Sequence, residues 1–279
     1  MRITVVTATW NSASTIRSTM ESVLAQTHGD VEHIVIDGAS SDETAEIVRS
    51  YAQRYEDEGK RLVLVSERDR GIYDAMNKGL HRATGDVVGL LNSDDFFTSP
   101  DVLACVAKAF ADAGADMGAD AGADTASDAK WQSEVLQAVY GDIHYVDPGD
   151  LSRVVRYYSS RRFRRWKMRL GYMPAHPSFY CLRDVYTRLG LYDISFPVAA
   201  DFELLLRFIY VGRLRTRYLP LDFVTMRTGG ASTSGMASHR RILADHLRAY
   251  RKNLPSSPGA LNLLLDITRY PFKLLEQLF

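Results

Sequence analysis

Short apolar runs alternate with helix-patterned segments through the first ninety residues of this 279-residue chain. The runs contain no Asp, Glu, Lys or Arg, and they occupy residues 3–8, 33–36, 62–65 and 87–91. Segments with helical periodicity separate them, at residues 14–26, 40–55 and 72–83. Uncharged strands joined by such helices are typical of parallel β-α-β units covered on both faces. The alternation therefore predicts an α/β fold with a predominantly parallel sheet flanked by helices, and Ser40 with Glu43 predicts a capping box at the second helix.

Polar residues stand where each predicted strand ends. These residues are Thr9, Asn11, Asp37, Glu67, Asp69, Asp94 and Asp95. In an open α/β sheet, ligands bind outside the carboxyl ends of the strands. We therefore expect these side chains to meet along one rim of the sheet.

The fourth apolar run stops at two adjacent carboxylates, Asp94 and Asp95. Two like charges side by side repel, and they need solvent, a cation or hydrogen-bond donors. Mg²⁺ is commonly bound by one or two carboxylates together with substrate phosphates. An isolated pair is usually just a polar strand exit, but the other polar exits favour metal-bound phosphate chemistry here.

Composition excludes several classes of protein. The 34 basic and 34 acidic residues balance, which argues against a nucleic-acid-binding protein. Cys105 and Cys181 stand in apolar surroundings and indicate buried thiols, not a disulfide frame or a metal site. The sequence shows neither a signal-peptide pattern nor an apolar stretch of about 20 residues. These features predict a cytoplasmic protein.

One stretch is strongly basic. Residues 153–169 contain eight basic residues and no acidic one, and within residues 161–167 the cations alternate with aromatics. Contact with nucleic acid, with anionic lipid or with substrate phosphates would each fit this pattern. The neutral net charge argues against the first, and we prefer a lipid surface or a lipid-linked substrate. The amphipathic residues 261–279 would either lie on a membrane or, more commonly, pack against the core.

The patterns divide the chain into four parts. Residues 1–110 form the ligand-binding α/β half, and 132–235 form the second half of the same domain. Residues 111–131 repeat Gly-Ala-Asp and would stack acids at i,i+4 in a helix, so we expect a flexible surface insertion there. Residues 236–279 are expected to be helical, with membrane association as one interpretation.

Four motifs together resemble glycosyltransferase family 2. They are residues 7–11 (TATWN), 37–44 (DGASSDET), 67–79 (ERDRGIYDAMNKG) and 91–95 (LNSDD). The resemblance covers residues 1–110 strongly and about 172–235 moderately. It implies a GT-A (Rossmann-like) fold with a C-terminal acceptor-side helical region. It also implies a UDP- or GDP-sugar donor and a divalent cation, Mn²⁺ or Mg²⁺. Within the family the chain looks most like non-processive exopolysaccharide, O-antigen or colanic-acid-type enzymes.

The resemblance also implies roles for individual residues. Donor contacts would fall on Thr9, Asn11, Asp37, Asp69, Arg70, Asn77, Lys78 and Asp94. Among them Asp37 would contact the base and Asp94 the ribose or sugar, while Asp95 would bind the metal with His239 as a further ligand. Ser93 stands at the first position of the metal element, where the family has an acid.

The catalytic base is implied further along the chain. Asp201 opens a predicted helix in the position of the family's catalytic Asp, although Ala200 replaces the Glu that many members have there. An acid at a helix start is also favoured electrostatically, and Glu203 is the alternative base. His176 would border the acceptor site, and residues 227–232 resemble a mobile loop that closes over the diphosphate.

Taken together, these features predict an inverting, hexosyltransferase-like enzyme. It would transfer a sugar to a saccharide or a polyprenyl-diphosphate-linked acceptor in cell-surface polysaccharide synthesis, with peripheral contact at the inner face of the plasma membrane. A nucleotidyltransferase and a non-catalytic nucleotide-sugar-binding protein remain alternatives. No Gly-x-Gly-x-x-Gly follows the first strand, which argues against a Rossmann dehydrogenase. Residues 162–166 approximate the Gln-x-x-Arg-Trp signature of processive synthases, but they lack its Gln and precede Asp201.

Overall fold

A computed structural model describes residues 1–118, 135–229 and 235–254, with side chains described outside 114–118 and 235–240. The described residues form strands β1 (Ile3–Thr9), β2 (Val31–Asp37), β3 (Arg61–Ser66), β4 (Val87–Leu90), β5 (Phe96–Phe97), β6 (Ala138–Asp147), β7 (Asp150–Tyr158), β8 (Tyr180–Leu182) and β9 (Thr216–Arg227). Their helices are α1 (Ile16–Leu24), α2 (Thr44–Ser50), α3 (Ala52–Asp57), α4 (Ile72–Arg82), α5 (Val102–Gly118), α6 (Arg183–Leu189), α7 (Ala200–Leu205) and α8 (Gly235–Asn253). Short 3₁₀ helices span Arg165–Leu170 and His176–Ser178, and a π-helical turn follows α7.

The strands form one mixed sheet in the order β3-β2-β1-β4-β8-β6-β9-β5, with β7 paired to β6. Strands β3, β2, β1 and β4 are parallel, as the alternation of strands and helices predicts. Beyond β4 the sheet changes character, because β8 is antiparallel to both of its neighbours while β9 is parallel to β6. The predominantly parallel arrangement is therefore a property of the first half of the chain.

Both faces of β1, β2 and β4 are buried, whereas β3 is only partly buried. Val6 and Ile34 lie on the face covered by α4 and by the helices of the second half. Val5 and Val35, their neighbours in sequence, lie on the opposite face with α1, α2 and α5. Successive side chains of a strand point to opposite faces, so a strand that is mostly apolar can be covered on both.

The predicted capping box is absent. The helix begins at Thr44, four residues after Ser40, and Glu43 at its N-cap makes no side-chain capping bond. The Ser40 hydroxyl instead donates a short hydrogen bond to Asp37 Oδ1. Asp42 Oδ1 takes over the capping role, because it accepts from the Thr44 amide at 3.0 Å. The capping-box prediction was wrong because the Asp37 carboxylate competes for the Ser40 hydroxyl.

Helix α5 extends into residues 111–131, where the sequence predicts a flexible insertion. Helix α5 continues to Gly118, so residues 111–118 are helical despite their Gly-Ala-Asp composition. Residues 119–131 lie outside the described residues. At the other end of the chain α8 spans Gly235–Asn253, and the amphipathic stretch 261–279 lies outside the described residues.

Candidate active site

A cavity of about 490 Å³ opens at the carboxyl ends of β1 and β4. The start of α4, strand β6, the segment leading into α7 and the end of β9 complete its wall. Its polar lining residues are Thr9, Ser12, Asp69, Asn92, Ser93, Asp94, His176, Asp201 and Arg227. The cavity therefore lies where an α/β sheet is expected to bind its ligand.

The loop after β4 carries the acidic pair. Asp94 is half-buried and lines the cavity, whereas Asp95 is only 1% exposed. Asn92 Nδ2 lies 3.3 Å from Asp95 Oδ2, and Oδ1 of the same carboxylate has no hydrogen-bond partner within the described part of the chain. Burial raises the pKa of the Asp95 carboxyl well above its usual range, and the neighbouring Asp94 raises it further. A buried carboxylate with an unpartnered oxygen is costly unless a ligand satisfies it.

Backbone and side-chain contacts hold this loop in place. The Thr19 hydroxyl donates to the Asp95 carbonyl at 2.7 Å, and the Arg227 guanidinium donates a short hydrogen bond to the Asp94 carbonyl. The same guanidinium donates to Ser18 Oγ at 3.0 Å and lies over the Phe96 ring. The cation of Arg227 is thus fixed beside the acidic pair at the cavity wall.

On another wall, Asp201 lies at the start of α7. Its Oδ1 accepts from the Phe202 amide at 2.8 Å, and its Oδ2 lies 3.4 Å from His176 Nδ1. Burial lowers the pKa of His176, and the Asp201 carboxylate opposes that shift only in part. A neutral imidazole therefore adjoins this carboxylate near pH 7.

The turn before α7 is anchored by a helix far along the chain. Asp245 on α8 is buried, and its Oδ2 accepts from the amides of Val198 and Ala199 at 3.1 and 3.0 Å. The Tyr73 hydroxyl on α4 donates a short hydrogen bond to the Val198 carbonyl. Asp201 is thus positioned by contacts from both halves of the chain.

Near the end of β1, two further polar groups face the cavity. Thr9 Oγ1 is buried and has no hydrogen-bond partner among the described residues. Asp69 Oδ1 accepts from the Gly71 amide at 2.8 Å, which shapes the turn into α4. Asp69 also packs directly on Gly38, where an added Cβ would lie 2.5 Å from Asp69 Oδ2. Gly38 is required here for close approach of the loops after β2 and β3.

Comparison with known proteins identifies the family. The model of glycosyl transferase family 2 matches residues 4–186. The chain belongs to glycosyltransferase family 2. It is 28% identical over 269 residues to a PGL/p-HBAD biosynthesis glycosyltransferase of Mycobacterium bovis, covering 96% of this chain and 90% of that protein. It is also 30% identical over 240 residues to an uncharacterized glycosyltransferase of Mycobacterium tuberculosis, covering 85% of this chain and 78% of that one.

Solved structures confirm the GT-A fold of this family 2 glycosyltransferase. S. aureus TarS 1–349 in complex with UDP-GlcNAc superposes with a TM-score of 0.66 at 14% identity, covering 95% of this chain and 70% of that one. A mannosyltransferase from Pyrobaculum calidifontis, in complex with GDP-Man and Mn²⁺, superposes with a TM-score of 0.63 at 22% identity, covering 96% and 69%. The chain spans 42% of a longer TarS structure. At these identities the likeness concerns the fold.

Several residues to which the family resemblance gave donor roles lie away from the cavity lining in this glycosyltransferase. Asn77 exchanges two hydrogen bonds with the backbone of Tyr192, at 2.9 and 3.0 Å. Lys78 donates to the Arg68 carbonyl at 2.6 Å, and Arg70 pairs with Asp74 at 3.1 Å. These three side chains hold α4 and the turns around it.

Asn11 and Asp37 connect the loops after β1 and β2. Asn11, with a φ of 49°, accepts from the Ser41 amide at 2.8 Å through its side-chain oxygen. Asp37 is fully buried and accepts from the Ser66 hydroxyl at 2.6 Å as well as from Ser40. The cavity is lined by Thr9, Asp69, Asp94 and Asp201. Asn11 and Asp37 do not line it.

The alternative base, Glu203, is contradicted by the structure. Its side chain is fully buried, and its two oxygens lie 2.9 Å from Lys252 Nζ and from Arg207 Nη2, with Asn253 at 3.1 Å. Burial alone would raise the pKa of Glu203, but the hydrogen bonds from Arg207 and Lys252 outweigh it and lower the pKa. Glu203 is absent from the cavity lining and fixes α7 to α8.

The aromatic wall of the cavity was not predicted from the sequence. Trp10, Tyr73, Tyr145 and Tyr192 line it, and the rings of Tyr73 and Tyr192 stack with centroids 5.5 Å apart. Trp10 and Tyr73 lie inside the quoted motifs, so their positions were available from sequence. Tyr145 and Tyr192 carried no local signal, because only the folded sheet brings them to the site.

The acidic side chains of the loop after β4 fit a divalent cation. Carboxylates are ligands that Mg²⁺ and Mn²⁺ use, and the unpartnered oxygen of the buried Asp95, next to the cavity-lining Asp94, marks a place for such a cation. Within the described residues no cluster of three or more His, Cys, Asp or Glu side chains completes a site. His239 belongs to α8, and its side chain lies outside the described ones.

No helix among the described residues is long and apolar enough to cross a bilayer.

Proposed function

We propose that this family 2 glycosyltransferase is an inverting enzyme that uses a UDP- or GDP-sugar. The acceptor would be a hydroxyl of a saccharide or a polyprenyl-diphosphate-linked saccharide, in cell-surface polysaccharide synthesis at the inner face of the plasma membrane. One observation carries the proposal: Asp201 and the acidic loop that contains Asp94 line the same cavity. A base and a leaving-group site are both needed for single displacement at a sugar carbon.

In this mechanism Asp201 Oδ2 takes the proton of the acceptor hydroxyl. The acceptor oxygen forms the new bond to the anomeric carbon as the bond to the nucleoside diphosphate breaks on the opposite face. Oδ1 is already engaged by the Phe202 amide, which orients the carboxylate and leaves Oδ2 for the acceptor. General-base assistance is typically worth about 10²–10⁴-fold in rate. The neutral His176 beside Oδ2 adds no positive charge that would weaken the base.

Asp95 would hold a divalent cation, with His239 as a proposed further ligand. When bound, the cation supplies Lewis-acid stabilisation of the departing diphosphate. Arg227 adds a fixed positive charge at the same wall. The complexes of TarS with UDP-GlcNAc and of the mannosyltransferase with GDP-Man and Mn²⁺ support a nucleotide-sugar donor and a divalent cation.

Thr9, Asp69 and Asp94 are our proposed donor contacts, because they line the cavity. Thr9 Oγ1 is buried without a partner among the described residues and would gain one from the donor. For Asn11, Asp37, Arg70, Asn77 and Lys78 we propose the supporting role that their hydrogen bonds suit, namely to shape the loops around the donor.

The test is an assay of donor consumption. The protein is incubated with UDP- and GDP-sugars and Mn²⁺, with and without saccharide acceptors. Release of a nucleoside diphosphate is expected, whereas a nucleotidyltransferase would release pyrophosphate. Donor binding without turnover on any acceptor would indicate a non-catalytic binding protein and contradict the proposal.

A further inference from the structure

One short stretch of the chain carries several exposed apolar side chains. Among the described residues ten large apolar side chains are exposed, and five of them lie between residues 151 and 166. Val154, Val155 and Trp166 are 57%, 55% and 59% exposed. Scattered exposed apolar residues need no explanation, but half of them in one short basic stretch favours an interaction site. We call residues 151–169 the basic surface.

The same surface is cationic. Residues 153–169 contain eight basic residues and no acidic one. Arg161, Arg162 and Arg165 are exposed, and none of them forms an ion pair with a carboxylate of the described residues. Arg153 lies 3.7 Å from Asp147, so one cation of the group is partly compensated.

The basic surface is held in shape from beneath. Phe163 and Met168 are buried on either side of Trp166, and the Tyr250 hydroxyl donates to the Met168 carbonyl at 2.8 Å. The Asp142 carboxylate accepts from the Ser160 amide at 2.7 Å and fixes the exit from β7. The fold therefore holds the exposed Trp166 in place through the buried Phe163 and Met168.

The surface also adjoins the cavity. Strand β7 pairs with β6, and the Arg156 guanidinium lies 5.6 Å from the ring centroid of Tyr145, which lines the cavity. Whatever binds the basic surface is thus brought next to the proposed acceptor site.

We propose that the basic surface docks on an anionic lipid membrane. Arginines beside a tryptophan and exposed valines are the combination used at lipid interfaces, where headgroup charge and shallow apolar burial act together. A second copy of this chain would bring eight cations against eight, which opposes association. Phosphates of nucleic acid would leave Val154 and Val155 without a partner. Docking serves the proposed function by presenting a lipid-linked acceptor to Tyr145 and Asp201. The docking proposal rests on the proposed function only for the identity of that acceptor.

The experiment is co-sedimentation of the full chain with vesicles. Binding is expected to vesicles of phosphatidylglycerol and phosphatidylcholine in equal parts, and not to pure phosphatidylcholine. Because each cation near an anionic surface contributes about fivefold in affinity, the Arg161→Glu/Arg162→Glu/Arg165→Glu variant should bind about a hundredfold more weakly. Trp166→Ala should weaken binding at both low and high salt, since its contribution is apolar.

The matched control is Arg17→Glu/Arg49→Glu/Lys108→Glu, which changes the net charge by the same amount as the arginine variant. Its three residues are exposed on α1, α2 and α5, the helices that cover the Val5 and Val35 face of the sheet. It should bind like the unmodified protein. Equal binding to both kinds of vesicle, or unchanged binding of the arginine variant with a native circular dichroism spectrum, would overturn the proposal. The proposal would also be overturned if the arginine variant converted a dimer to a monomer without weakening vesicle binding. Asp201→Asn should still bind vesicles, so failure of the proposed chemistry is distinguishable from failure of docking.

Discussion

His176 Nδ1 lies 3.4 Å from Asp201 Oδ2, and both side chains face the cavity. The two residues are 25 positions apart, on a 3₁₀ turn and at the start of α7. Burial keeps the imidazole neutral near pH 7, so it can orient the carboxylate without neutralising it. This pairing gives the proposed base a defined neighbour.

Asp201→Asn should reduce kcat by about 10²–10⁴-fold, because the amide cannot accept the acceptor proton. Donor affinity should change little, since the proposed donor contacts lie on other elements. The matched control is Asp184→Asn, which alters the acid at the second residue of α6, where it is 46% exposed and pairs with Arg188. Normal turnover by Asp201→Asn would rule out this residue as the base.

The rate should show no histidine-like step near pH 6.5. The pKa of His176 is lowered by burial, so the ring gains its proton only below the ordinary range and the charge next to Asp201 appears only there. The measurement is kcat against pH for the unmodified protein and for His176→Gln. A step at pH 6.5 that disappears in His176→Gln would contradict the neutral state inferred from the structure.

Asp95→Asn should abolish stabilisation by Mn²⁺ while making the metal-free protein more stable, by about 0.5–2 kcal/mol. The neutral amide removes the cost of a buried carboxylate whose Oδ1 has no partner among the described residues. Thermal denaturation with Mn²⁺, alone and with UDP or GDP, tests both effects without relying on activity. Asp112→Asn, at an exposed position of α5, is the control and should leave both unchanged. An undiminished Mn²⁺ shift in Asp95→Asn would exclude this carboxylate as a ligand.

Gly38→Ala should raise the KM for the donor with little change in kcat. Its new Cβ would lie 2.5 Å from Asp69 Oδ2, so the Asp69 side chain must move from its place in the cavity wall. Gly29→Ala is the control, because nothing lies within 4 Å of the Cβ there. The measurement is steady-state kinetics on both variants and on the unmodified protein. Equal KM values for Gly38→Ala and the unmodified protein would show that Asp69 does not contact the donor.

Stability should decline as the pH falls from 6.5 towards 3, in part because of His33. This ring is fully buried between Thr7 and Tyr55, and burial lowers its pKa to about 3 from the ordinary 6.5. The unfolded chain therefore takes up the proton first, and folding loses up to about 1.4 kcal/mol per pH unit in that window. Urea unfolding across the window should show a shallower dependence for His33→Gln than for the unmodified protein. Parallel curves would contradict the assignment.

The first half of the fold was predictable because its signals are local. An uncharged run such as residues 87–91 is typical of a strand covered on both faces, and the polar residues after it are then expected at the rim. Thr9, Asp69 and Asp94 reach the cavity for this reason. The capping box failed because a nearby carboxylate, Asp37, competed for Ser40, and one-dimensional patterns do not include such competition.

The sequence by itself determined the α/β alternation, the acidic exit at residues 94–95 and the motifs that place the chain in family 2. Only the tertiary structure decided which polar groups face the cavity. Asn77 bonds to Tyr192, 115 residues away, and Glu203 is neutralised by Lys252, whereas Asp201, two residues earlier, faces the cavity. The physical reason is that a side chain's role depends on the partners that folding brings to it. Strand and helix periodicity is set by neighbours along the chain, while those partners come from distant elements.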